Sequence, residues 1–339
     1  DMTHILYGIG TMVAVIILMD FLVWRPVVAW SQKFRFDTVQ AEEEKPSLVL
    51  DFLRKSSIVE RAFIFFDKML KNTEALYQRI ETLPERRMVF VIRKGVTIVL
   101  GAATVVMLSW ALVKAVLLFS GITYDEYVSV VVATFASLFR TSAAISRAAL
   151  WTVPLGVYVG LNPKASKVLQ PIVQVIASIP ATAVFPVVLL FLIKLGGGLN
   201  IGSVFLMLLG TQWYILFNVI AGASAIPQDL RETAALYGLK GVRKWKVLIL
   251  PGIFPYLVTG LITATGGAWN ASIVSEYVTF GGDVMKTKGL GSLISESTVS
   301  GNFGLLLLST MVMAIVVVSI NRLLWKRLFA LAQEKYRLD

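Results

Sequence analysis

Polar and apolar positions alternate along this chain in long blocks. No charged residue occurs in 168–193, 199–225, 247–275 or 302–321. About 20 apolar helical residues cross the hydrocarbon core of a bilayer, and a buried core strand needs far fewer. Each block therefore predicts a membrane helix. Residues 96–119, interrupted only by Lys114, and 5–24, interrupted only by Asp20, add two more. Residues 141–160, which contain Arg147, add a seventh. Short segments of alternating hydrophobicity, the mark of a membrane β-barrel, are not seen. Residues 168–193 also carry Pro180 and Pro186, which predict kinks.

Composition agrees with the pattern. The chain is 56% hydrophobic and only 16% charged, against roughly 25% charged in soluble domains. Cysteine is absent and His4 is the single histidine, which excludes disulfides, zinc–thiolate sites and Cys/His catalysis. No GxxxxGK[ST] loop is present, and the run Gly196-Gly197-Gly198 lacks the lysine. The chain therefore has no nucleotide-binding motif of its own.

A net charge of +11 raises nucleic acid as a partner, but the distribution points to a membrane. Basic residues cluster in alternate connections: Arg231, Lys240, Arg243, Lys244 and Lys246 in one, and Arg322, Lys326, Arg327, Lys335 and Arg337 in the tail. The stretch 120–127 holds Asp125 and Glu126 without a basic residue. The positive-inside bias then predicts that 25–95, 161–167, 226–247 and the C-terminus are cytoplasmic. The N-terminus, 120–140, 194–199 and 271–301 are predicted outside.

Within the charged connection 33–94, Val59, Phe63, Phe66, Leu70, Thr73, Tyr77 and Ile80 are spaced 4-3-4-3-4-3. That spacing predicts an amphipathic helix on the membrane or against its neighbours. Residues 12–33, "MVAVIILMDFLVWRPVVAWSQK", are echoed at a shift of 301 by 313–334, "MAIVVVSINRLLWKRLFALAQE". Met12 meets Met313, Trp24 meets Trp325, Arg25 meets Lys326, Ala29 meets Ala330 and Gln32 meets Gln333. A shared interfacial anchor explains such an echo; so does internal duplication, with 1–32 as the last helix of a preceding copy.

The stretch "RETAALYGLKGVRKWKVLILP", 231–251, breaks the apolar rhythm. Pro227 suits a first helical turn, with Asp229 and Glu232 near the positive end of the dipole. Gly238 supplies a left-handed helix end. A second short basic helix and then Pro251, opening the next span, are expected. Glu232-Thr233-Ala234, three residues, Gly238, nine residues and Leu248-Ile249-Leu250-Pro251 resemble the Glu-Ala-Ala loop of bacterial ATP-binding-cassette (ABC) importer permeases. Thr233 stands for the first alanine and Leu248 for isoleucine. "PLGVYVGLNPKASKVLQPIVQVIASIPATAVFPVVLLFLI", "WNASIVSEYVTF" and "GLGSLISES" are similar to permeases for nitrate, taurine, other sulfonates and bicarbonate, some of which are duplicated within one polypeptide.

The resemblance implies an all-α integral membrane fold, the type I ABC importer transmembrane domain. About seven membrane helices are expected, six core helices plus one from a preceding copy. The chain divides into that preceding helix at 1–32, a cytoplasmic linker at 33–92, the permease domain at 93–326 with its coupling loop at 226–247, and a cytoplasmic tail at 327–339. The coupling loop, carrying Asp229, Glu232, Thr233, Ala234, Gly238, Leu250 and Pro251, docks on a separate ATPase subunit. That subunit binds ATP and Mg; this chain needs no cofactor or metal and has no catalytic residue. Further implied partners are a second permease domain, an external solute-binding protein and the bilayer of the bacterial inner membrane, with no nucleic acid.

For the substrate pathway, the polar positions inside apolar spans are Gln174, Ser178, Thr263, Thr265, Trp269 and Asn270. Gly266-Gly267 serve close helix contact or line a cavity. Arg140 and Arg147, seven apart, share a helix face. Arg140 is expected to snorkel to the interface. Arg147 lies deeper, where an unpaired charge costs ~3 kcal/mol or more. Two readings stand for Arg147: a brace paired with Glu276, or a site attracting a small anion. The competing class, a secondary transporter or channel independent of any ATPase, would favour dense intramembrane carboxylates, which are absent. An intramembrane enzyme lacks His, Cys or paired carboxylates at depth.

Overall fold

The computed structural model describes residues 86–335, apart from 195, 197, 281 and 282, together with scattered positions between 7 and 23. The expected span over 5–24, the amphipathic spacing from Val59 to Ile80 and most of the 12–33 echo lie outside the described residues. Two units are distinguished, Asp1–Val113 and Lys114–Asp339.

The elements are α1 Arg86–Ser120, α2 Tyr124–Leu161, α3 Pro163–Ser178, α4 Ala181–Lys194, α5 Gly198–Ser224, α6 Gln228–Leu236 and α7 Gly241–Lys244. A π turn at Trp245–Ile249 leads into α8 Leu250–Ser275. A hairpin of β1 Tyr277–Phe280 and β2 Asp283–Lys286, then α9 Leu290–Ser300 and α10 Phe303–Ile320 follow. A second π turn, Asn321–Trp325, joins α10 to α11 Lys326–Lys335. Among the described residues five helices are long and apolar enough to cross a membrane: Gly95–Ser120, Tyr124–Leu161, Gly198–Ser224, Gly241–Ser275 and Phe303–Lys335. Counted as one broken span, the bent pair α3 and α4 makes a sixth. The antiparallel hairpin, with Tyr277 opposite Lys286 and Phe280 opposite Asp283, is an unforeseen addition to the helical fold.

Three expectations about the spans are corrected. Residues 120–140 are not an outside loop, because α2 runs unbroken for 38 residues from Tyr124 to Leu161. The Glu126 carboxylate starts it by accepting hydrogen bonds from the Thr123 N–H (2.8 Å) and hydroxyl (2.9 Å). The block 168–193 is not one continuous helix, because the helices on either side of Pro180 are bent by 84°. Proline removes a donor and pushes its predecessor out of the helical region, and Ile179 is extended at φ −71°, ψ 120°. Pro186 lies within α4. Finally, the second basic helix is not separate, since Gly241–Ser275 is one span. The Pro251 ring would strike the carbonyl four residues back in a regular helix. The π turn just before it widens the coil, with the Leu250 N–H bonded to the Trp245 carbonyl.

The core centres on α5, which packs most extensively against α2 and α8. Ile215, Val219 and Ala223 of α5 bury against Ala148 and Val157 of α2 and Ile253 and Ala264 of α8. Small residues bring these backbones close. A Cβ on Gly156 would lie 2.8 Å from Val219 Cγ1, and one on Gly160 would lie 2.5 Å from the Ile220 carbonyl. By contrast, Val99, Val106 and Leu112 of α1 are exposed. Hydrocarbon is an adequate solvent for that surface, since the helix satisfies its own backbone.

Candidate functional site

The two ends of α8 carry two different arrangements. One is a polar cluster at its C-terminal end; the other is the loop that precedes its N-terminal end.

At the C-terminal end, Glu276 caps α8 and is fully buried. Its carboxylate accepts hydrogen bonds from the Ser137 hydroxyl (2.8 and 2.9 Å), the Arg140 guanidinium (3.1 Å) and the Gly291 N–H (3.0 Å). The last donor belongs to the first turn of α9, where backbone N–H groups and the helix dipole favour an anion. Arg140 also donates to the Lys288 carbonyl (2.6 Å), Asn200 Oδ1 (3.0 Å) and Thr287 Oγ1 (2.8 Å). The Thr287 hydroxyl donates to the same Asn200 oxygen. The Leu290 N–H donates to Ser137 Oγ (2.8 Å).

One ion pair thus ties α2, α5, α8, the segment that follows β2 and α9 together. Withdrawing two charges from water costs several kcal/mol per ion. Further charge-assisted hydrogen bonds offset that cost here. The sequence "GLG", 289–291, is required by contact. A Cβ on Gly289 would stand 2.1 Å from Glu276 Oε2, and one on Gly291 2.3 Å from the Ser272 carbonyl.

This arrangement overturns two expectations. Arg140 does not snorkel: it is only 9% exposed and is paired. Arg147 does not pair with Glu276, because Arg140, one heptad earlier on α2, takes that carboxylate. Arg147 is exposed and makes no hydrogen bond or ion pair among the described residues.

The remaining polar positions separate by face. Thr265 and Trp269 turn into the core; the Thr265 hydroxyl donates to the Leu261 carbonyl (2.7 Å). Thr263 and Asn270 are exposed, together with Thr259 and Gly266. The spacing 259, 263, 266, 270 is one helical face, so α8 presents an uncovered stripe of hydroxyl, glycine and amide. Gly267 is a contact glycine, with its Cβ position 3.0 Å from Tyr214 Cε2, whereas Gly266 has open space. On α3, Gln174 is exposed, and the half-buried Ser178 donates to the Val175 carbonyl (2.6 Å).

At the other end of α8 lies the loop. Pro227 precedes α6 with φ −55° and ψ 144°. Asp229 stands in the first turn, and Gln228 Nε2 donates to Glu232 Oε1 at 2.7 Å. Ala234 is buried while Thr233 is exposed. Gly238, at φ +64°, ends the helix in a Schellman motif. The Gly238 N–H reaches the Ala235 carbonyl (3.0 Å) and the Leu239 N–H reaches the Ala234 carbonyl (2.9 Å). Behind α6 lies an apolar cavity of about 490 Å³ lined by Ile226, Leu230, Ala234, Leu248 and Pro251. At the end of α6, Leu236 is 88% exposed, and Tyr237, at the rim of that cavity, is 80% exposed. Leu250, at the start of α8, is also exposed.

Sequence reasoning identified both charged members of the polar cluster but missed Ser137, Asn200, Thr287 and the Lys288 carbonyl. Their contacts span 60 to 153 residues. The paired glycines of "GLG" were the available signal.

Residues 152–330 match the family described as binding-protein-dependent transport system inner membrane component. The chain is similar to the nitrate import permease protein NrtB of Synechocystis sp., at 29% identity over 196 residues, 58% of this chain and 66% of that protein. It is 31% identical over 148 residues to the bicarbonate transport system permease protein CmpB of Synechococcus elongatus, 44% of this chain and 52% of that one. It is 27% identical over 162 residues to the taurine transport system permease protein TauC of Escherichia coli, 48% and 55% of the two chains. The chain thus spans between about half and two thirds of the length of these relatives. In fold it resembles the inward-facing MetNI methionine ABC transporter, with TM-score 0.52 at 18% identity over 62% of this chain and 99% of the other. The chain is a multi-pass membrane protein and belongs to the family of binding-protein-dependent transport system inner membrane components.

Proposed function

We propose that this chain is the membrane-spanning permease of an ATP-driven importer for a small anion, coupled through α6 to a separate ATPase that binds ATP and Mg. The carrying observation is the uncovered apolar end of α6. Leu236 and Tyr237 are held outward by a Schellman-capped turn, and apolar side chains so exposed beside water call for a covering protein surface. In this reading α6 lies in the cytoplasm and the hairpin outside, where a solute-binding protein delivers substrate. A second permease domain completes the pathway, and the echo between 12–33 and 313–334 supports an internal copy. Co-purification of the ATPase and substrate-stimulated ATP hydrolysis test the coupling. Glu232→Ala and the pair Leu236→Ser with Tyr237→Ser should lower both while the membrane helices stay folded. Wild-type values would refute the coupling role. Uptake that persists with a hydrolysis-dead ATPase would favour the channel or secondary-transporter class.

The anion reading rests on Arg147 and on relatives named for nitrate, bicarbonate and taurine. Arg147 lies near the middle of the 38-residue α2, exposed and without a partner among the described residues. A guanidinium at that depth needs water or a counter-charge, and an anion in a polar pathway supplies one. The exposed stripe Thr259, Thr263, Gly266 and Asn270 extends that pathway along α8. Arg147→Gln should abolish anion uptake yet leave assembly normal, because Glu276 keeps Arg140. Unchanged uptake would remove Arg147 from the pathway.

A further inference from the structure

Adjoining the polar cluster, with which it shares Thr287, Lys288 and Gly289, a second cavity of about 460 Å³ opens between the N-terminal part of α2, the segment after β2 and α9. Lys286, Lys288, Ser292 and Glu296 line its polar side, and Val132 and Leu293 its apolar side. Lys286 is neutralised by Glu296 at 2.6 Å. Lys288 gives its backbone carbonyl to Arg140, but its ammonium has no partner among the described residues. Ser292 is only 4% exposed, and its hydroxyl, which lines the cavity, makes no hydrogen bond among the described residues. The cavity therefore carries a net charge of one positive unit, a free ammonium and an unpaired hydroxyl, next to an apolar wall.

We infer that this cavity binds a singly charged oxyanion group, held by the Lys288 ammonium and the Ser292 hydroxyl. An oxyanion satisfies both donors at once and neutralises the uncompensated charge. Two sources share that chemistry: a free inorganic oxyanion, or the headgroup phosphate of an anionic lipid whose glycerol lies along Val132 and Leu293. The binding stands apart from the transport reading, and its measurement requires no transport.

The test is the rate at which an impermeant amine-acylating reagent modifies Lys288, followed by mass spectrometry. The natural assembly containing this chain is placed in phosphatidylcholine nanodiscs. Added sodium nitrate or phosphate should slow Lys288 labelling about tenfold when present at about ten times its Kd, by simple competition. Sodium chloride at equal ionic strength should not. Nanodiscs containing phosphatidylglycerol, without added anion, form the second arm. Protection in the first arm assigns a free oxyanion, in the second a lipid phosphate, and in both a site open to either. Ser292→Ala should weaken the protection and Glu296→Gln should strengthen it. Neither change touches the Arg140–Glu276 pair, so both variants should assemble. Equal labelling in every arm, or equal protection by chloride, overturns the site.

Discussion

The polar cluster at one end of α8 and the loop at the other both depend on glycine, for opposite reasons. Gly289 is demanded by what touches it, since any Cβ would meet the Glu276 carboxylate at 2.1 Å. Gly238 has open space around it and is demanded by its own backbone, at φ +64°. The cluster is saturated from within: each charge has its partner inside the chain, and Ser137, Arg140, Glu276 and Thr287 are buried. The loop is the reverse, with a backbone capped to completion but Leu236 and Tyr237 left uncovered. A site that satisfies itself holds a structure together, whereas bare apolar side chains on a rigid element leave surface for the docking proposed above.

The largest effect should come from splitting the ion pair. Arg140→Gln or Glu276→Gln alone leaves a buried charge unpaired and should cost about 3–5 kcal/mol, measured by thermal denaturation in detergent. The double substitution should cost clearly less than the sum of the two, the sign of direct coupling. Strict additivity would mean that Arg140 and Glu276 do not depend on each other.

The glycines offer a sharper contrast. Gly289→Ala should lose about 1–3 kcal/mol through overpacking and should be relieved in part by Glu276→Gln only if the smaller charge lets the carboxamide shift. Gly238→Ala should lose about 1 kcal/mol through left-handed strain, and Gly238→Asn less, because asparagine tolerates that region. Equal losses for alanine and asparagine at 238 would point to contact instead of backbone conformation.

Replacing Leu236 and Tyr237 by serine should change stability by no more than about 0.5 kcal/mol, as for other exposed positions, in contrast to the loss of ATPase retention proposed above. Gln228→Ala, which removes one exposed hydrogen bond within α6, should cost a few tenths of a kcal/mol, about 0.2–0.5. A larger loss would show that the loop is more tightly braced than its exposure implies.

Several features were legible because they are local. The uncharged blocks 199–225, 247–275 and 302–321 became α5, α8 and α10 with ends shifted by only a few residues, since bilayer thickness imposes a run length that composition reveals. The spacing from Glu232 through Gly238 to Pro251 identified the loop, and Gly238 took the left-handed conformation its position implied. Where the sequence misled on the arginines, a charge acted through distant partners. Arg140 looked like the outer boundary of a span; it lies inside α2 because Glu276, 136 residues away, neutralises it. Arg147, one heptad on, looked the better partner for Glu276 by depth alone. Hydropathy and helical spacing determined that the chain is a multi-pass helical membrane protein and where its basic loop interrupts the spans. Tertiary structure alone decided which arginine is paired, which threonines reach an open face and where the buried charges rest. Electrostatic pairing depends on three-dimensional distance and dielectric, and neither is a property of neighbouring letters.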